Sequence, residues 1–150
     1  MTSYSKLITN CEAYLRQGRI ELAAKEFRKI SMSKYLTSEQ VAIAKLGRRV
    51  AQTTKALRIL QKKLSSINTI EKQTDDFKAE YAVLLTLNGC VDEAMHTLEN
   101  ASVKNPNVLI AKAWAYFEKW EYSKAIPILK KYILLQKEDY QKIAGYINLA

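Results

Sequence analysis

The chain has 150 residues, 48% of them hydrophobic and 26% charged, with only 4 Gly and 2 Pro and a formal net charge of +9. So few breakers argue against a loop-rich sandwich or barrel, and four scattered glycines rule out a glycine-rich phosphate loop. No apolar run reaches the length of a membrane span, the opening MTSYSKLITN has no basic segment leading into an apolar one, and Cys11 and Cys90 make neither a disulfide framework nor a metal spacing. The expectation is an all-α, cytoplasmic chain with reduced thiols, no signal peptide and no cofactor.

In chain order, apolar periodicity predicts helices over 4–17, 20–31, 38–51, 54–65, 75–88, 91–102, 107–118, 122–136 and 138–150. The breaks fall at Gly18, at Gly89, at Asn105–Pro106 and in the polar stretch 65–74. Thr37 or Ser38 before Glu39 and Gln40 offers one helix start, and Asp75 before Phe77 another. Pro127 falls early inside its helix and is expected to cost a backbone bond or to bend it.

Charge is unevenly spread. Residues 1–75 hold 15 Lys/Arg and 6 Asp/Glu, whereas residues 76–150 hold 9 of each. No acid occurs between Glu39 and Glu71, a span that carries Lys45, Arg48, Arg49, Lys55, Arg58, Lys62 and Lys63. Two readings stay open: a solvated face that aids solubility, or a docking surface for an acidic segment or a nucleic-acid backbone.

The helices repeat in pairs. Ala23, Ala56, Ala94 and Ala125 each stand one turn into a second helix, at spacings of 33, 38 and 31 residues. Four residues later comes a large apolar side chain (Phe27, Leu60, Leu98, Leu129), and twelve residues earlier a small one (Cys11, Ala44, Ala82, Ala113). Tyr14, Leu85 and Tyr116 stand nine before the alanine in three of the four units. Large side chains are placed to fill the space between paired helices, and small ones let the backbones approach.

On these residues the chain resembles the tetratricopeptide repeat family. The third unit carries the fullest match, from Ala82, Leu85, Gly89, Ala94, Leu98 and Ala101 to Pro106. The first matches through Leu7, Cys11, Tyr14, Gly18, Ala23, Phe27 and Ile30, and the fourth through Leu109, Ala113, Tyr116, Ala125, Leu129 and Tyr132, with Trp120 in place of the turn glycine. In the second unit Gly47 occupies the aromatic slot and Lys63 the small closing slot. The resemblance implies a single domain over 1–150 built as a right-handed solenoid of antiparallel helix hairpins. Its units are 4–37, 38–74, 75–105 and 106–137, with a terminal helix at 138–150. Ala23, Ala94 and Ala125 are then expected to be almost fully buried.

The resemblance also implies a binding groove formed by the first helix of each pair. Carried over by position, that groove presents Lys45, Arg48 and Arg49, then Ala79, Val83, Thr86 and Leu87, then Ile110, Trp114 and Phe117. It would be cationic at one end and apolar at the other. The last three share a helix face, and core packing against a neighbouring helix explains them equally well. The Lys/Asn clamp by which some members of the family hold a chaperone carboxylate is absent, because Ile8 and Glu12 stand at its positions.

No residue pattern suggests an enzyme. His96 is the single histidine, in an ordinary amphipathic stretch, and neither cysteine has a histidine partner suggested by sequence. Asp75–Asp76 and Asp92–Glu93 sit at helix starts, where the helix dipole favours negative charge. The expected function is a non-enzymatic protein–protein interaction module that holds an apolar, acid-flanked partner segment, a secretion or assembly chaperone being one form of it. The alternative is a nucleic-acid-binding repeat protein that uses its basic half. Finally, Tyr140, Ile143, Ala144, Ile147 and Ala150 form one stripe on the last helix, with no charge after Lys142. That stripe predicts a chain that continues past Ala150, or self-association through this helix, with folding back onto the fourth hairpin as the alternative.

Overall fold

The computed structural model describes residues 3–30, 39–66 and 70–150; side chains are described for these except 3–5, 63, 65, 66, 140, 141 and 144. The expected helix start at Thr37 or Ser38, and the roles assigned to the side chains of Lys63, Tyr140 and Ala144, lie outside the described residues. Nine α-helices and no strand occur among the described residues. The chain divides into two compact units, 1–67 and 68–150. The charge divides at the same place, with 14 Lys/Arg against 4 Asp/Glu in the first unit and 10 against 11 in the second.

The first unit contains α1 (Ser3–Arg16), α2 (Ile20–Arg28), α3 (Gln40–Arg49) and α4 (Thr53–Ser66). Helix α1 packs on α2, and α3 on α4. Cys11, Ala23, Phe27, Ile43, Leu46 and Val50 belong to one buried cluster, against which Leu7, Ile8, Tyr14 and Leu15 pack. Helix α3 runs close to this cluster because Gly47 has no side chain. A Cβ there would stand 2.5 Å from the Phe27 ring and 3.0 Å from the Ala56 Cβ. The slot that holds Tyr14, Leu85 or Tyr116 in the other units is filled here by the Phe27 ring. That exchange is why residues 38–74 read poorly as a repeat.

The second unit contains a 3-10 turn (Ile70–Lys72), α5 (Asp75–Leu87), α6 (Val91–Leu98), α7 (Pro106–Glu118), α8 (Tyr122–Leu135) and α9 (Asp139–Leu149). Helix α5 packs on α6 and α7, α7 on α6 and α8, and α9 on α8. The N-cap of α5 is Thr74, whose hydroxyl accepts from the Phe77 amide at 3.2 Å. The two following acids hold the loop after α6 instead. Asp75 accepts from the Ser102 amide, and Asp76 from the side-chain amides of Asn105 and Asn107. Helix α6 therefore ends at Leu98 rather than continuing to 102. Helix α8 runs through Pro127 unbroken.

The spacing that aligns the four alanines also aligns the turns. Gly18, Ala51, Gly89 and Trp120 each stand five residues before the aligned alanine, and they have φ of 70°, 60°, 83° and 60°. The amide one residue later reaches back to the carbonyl of Tyr14, Gly47, Leu85 or Tyr116 at 2.8–2.9 Å in every case. This is the paired backbone bond of a left-handed helix C-terminus, which satisfies carbonyls the helix leaves open. Ala23, Ala56, Ala94 and Ala125 are all fully buried, as are Cys11, Ala44, Ala82 and Ala113 and the four large residues Phe27, Leu60, Leu98 and Leu129.

Candidate interaction surfaces

The anticipated site residues fall in both units. On α3, Lys45 and Arg49 are exposed and Arg48 is half-buried. On α5 the expectation needs correction. Ala79, Val83 and Thr86 are buried, so they present no surface to a ligand; only Leu87, at the end of the helix, is exposed. The physical reason is that α5 is packed by both α6 and α7. On α7, Ile110 and Phe117 are half-buried against Ala113, Ala125 and Leu129. Trp114 is half-buried too, and its indole N–H donates to the Asn148 side-chain carbonyl of α9 at 3.0 Å. Helix α9 comes this close because Gly145 lies on Tyr132 and Ile133 of α8, where an added Cβ would clash at 2.5 Å.

The basic stretch of the first unit is not uniformly solvated. Lys55 reaches from α4 to the end of α2 and donates to the carbonyls of Phe27 and Arg28 at 3.1 and 2.9 Å, with its ammonium 5.3 Å from the Phe27 ring centre. Its role is to close the C-terminus of α2, where a cation is favoured by the open carbonyls and the dipole. Burial pushes its pKa below the usual lysine value. Lys55→Met keeps the aliphatic stem and removes those bonds, so a loss of about 1 kcal/mol in urea unfolding is expected. An unchanged midpoint would assign Lys55 to the solvated face instead. Beside it, Ile20, Leu22, Lys25, Arg28 and Val50 border an open basin of about 460 Å³. Glu21 and Gln52 also line it, and the basin is wide open to solvent rather than enclosed as a small-molecule site is.

Among the described residues no three His, Cys, Asp or Glu side chains come together as a metal site, and no helix is long and apolar enough to cross a membrane. His96 is exposed beside Glu99 at 3.4 Å. Asp92 accepts from Lys119 at 3.3 Å, and Glu93 from the Tyr81 hydroxyl at 3.4 Å. Each of these polar groups has a structural partner.

The second unit carries a different kind of surface. Ten of the eleven exposed large hydrophobics among the described residues lie on it. At the α7–α8 turn, Trp120 is 78% exposed, with its ring edge-on to Tyr122 at 6.1 Å; Tyr122 also contacts Phe117 at 5.9 Å. Periodicity could not find this cluster, because Trp120 belongs to no helix stripe. The signal was its position in the turn slot that holds glycine in two other units. No protein-family model and no curated protein matches the chain.

Proposed function

We propose that the chain is a helical-repeat interaction module resembling tetratricopeptide repeats: a right-handed solenoid of antiparallel hairpins that binds a partner polypeptide and carries out no chemistry. The recurrence of a left-handed turn residue five before each buried alanine supports the repeat reading. A single observation carries the binding reading, and it is Trp120. A bulky residue with positive φ costs backbone energy that glycine would not, here about 1 kcal/mol. Spending that energy on a side chain left in solvent makes sense where the side chain meets something. Exposed Trp and Tyr are typical anchors of interfaces. The proposed partner segment is apolar with acidic flanks, the apolar part seated on Trp120, Tyr122 and Phe117. Lys45, Arg48 and Arg49 are cations of α3 in the first unit.

Trp120→Gly separates binding from folding, because the same substitution relaxes the turn and removes the anchor. The variant should unfold at higher denaturant, a gain of about 1 kcal/mol. It should also lose at least tenfold in affinity for peptides selected from a random library on the wild-type chain. Unchanged peptide affinity would overturn this role for Trp120. Binding that weakens steeply with salt, and follows Lys45 and Arg49 instead, would favour the nucleic-acid reading. Trp114→Ala is a poorer test, since it also breaks the bond to α9.

A further inference from the structure

Helix α9 is turned the wrong way round for an ordinary surface helix. Its side toward α8 and α7 carries Gly145, Asn148 and Leu149, while Ile143 (53% exposed), Tyr146 (58%) and Ile147 (67%) form an i, i+3, i+4 stripe facing solvent. Spacing identifies that stripe. Ile143, Tyr146 and Ile147 stand 31 residues after Lys112, Ala115 and Tyr116 of α7, which in turn stand 31 after Tyr81, Leu84 and Leu85 of α5.

On α5 all three positions are buried, and the Tyr81 hydroxyl donates to Glu93 of α6. On α7, Ala115 is buried, and Tyr116 packs against Ala125 and Leu129 of α8 beneath the Lys124 ammonium. The same face of each earlier helix is thus the seat of a second helix. On α9 the corresponding side chains are exposed.

We infer that the Ile143–Tyr146–Ile147 face of α9 binds an amphipathic helix of a partner protein in the manner of α6 and α8, antiparallel to α9. This rests on the repeat reading above. The chemistry of the helix follows from the seats already filled. It carries a small residue at the crossing point, as Ala94 and Ala125 do, and a large apolar residue four later, as Leu98 and Leu129 do. Before the small residue α6 and α8 place Glu93 and Lys124, which meet Tyr81 and Tyr116. Ile143 and Ile147 offer no polar partner there, so the bound helix has an apolar residue at that point. A second copy of α9 fits less well. It would bring large side chains against large ones, since its glycine at 145 lies on the opposite side against Ile133.

The test uses the full chain and a labelled peptide of residues 121–136 carrying Lys124→Leu and Pro127→Ala. Fluorescence anisotropy should show saturable binding that changes little with salt. Ile147→Asp should weaken it at least tenfold while leaving the thermal melt in place, because Ile147 is in solvent before binding. Trp120→Gly should leave peptide binding unaltered, which separates this seat from the aromatic turn. No saturable binding to the wild-type chain would overturn the inference, as would binding that Ile147→Asp leaves untouched. A dimer in sedimentation that Ile147→Asp dissociates would also overturn it, by giving the seat to a second copy.

Discussion

Gly47→Ala should destabilise the chain by about 1–3 kcal/mol, although the same exchange within an unconstrained helix stabilises by about 1. The new methyl would sit 2.5 Å from the Phe27 Cζ and 2.9 Å from its Cε1. The ring is fully buried and lies beneath the Lys55 ammonium, so it has nowhere to move. Gly47→Leu, which restores the large residue of the other units, should prevent the first unit from folding. Phe27→Leu frees the space. In that background Gly47→Ala should become neutral or favourable, giving a coupling of about 2 kcal/mol between the two sites in urea melts. Costs that add within about 0.5 kcal/mol would mean that the ring does not fill the missing slot.

Stability should fall between pH 9 and pH 11 by an amount that disappears in Cys11→Ala. The Cys11 thiol is fully buried, and it donates to the Ala23 carbonyl at 3.3 Å. Burial, helped by the negative charges of Glu26 and Glu12, pushes its pKa up from 9.0 to about 11. The folded chain therefore keeps this proton across a window in which the unfolded chain has released it. The unfolded state binds fewer protons there, so the stabilisation present below pH 9 is lost as pH rises through 11. A rise from 9.0 to about 11 corresponds to about 2–3 kcal/mol. Denaturant midpoints of the wild type and Cys11→Ala at pH 8 and pH 11 measure it, since groups other than Cys11 titrate in both. Parallel curves would show that the thiol ionises in place. In a thiol-reagent assay at pH 8, Cys90, which is exposed, should react at once, and Cys11 only after unfolding.

For protein binding, the two units differ in a way net charge alone conceals. The cationic excess lies in the first unit and the exposed apolar surface in the second. An apolar interface survives high salt and a phosphate contact does not. Measuring partner binding across salt therefore reports which unit the partner uses.

Sequence alone determined the helices, their pairing and the inner register. Apolar periodicity placed eight of the nine helices within about three residues, and small and large side chains at fixed spacing marked Ala23, Ala94 and Ala125 as buried. Local composition suffices for this, because helix caps, turns and small-to-large packing act over a few residues. Periodicity carries the sixth helix on to 102, beyond its end at Leu98. It stops at Leu98 because Asp75 and Asp76, more than twenty residues earlier, hold the loop after it. Tertiary structure decided everything that depends on a neighbour distant in sequence. It buried Ala79 and Val83 on a helix that packs against both α6 and α7, though they share that helix with exposed Leu87. It turned Lys55 from a surface cation into a cap on α2, and it filled the empty slot at Gly47 with Phe27. A periodic pattern says which residues turn inward; which inward faces find a partner, and which stay open as on α9, depends on the helices packed beside them.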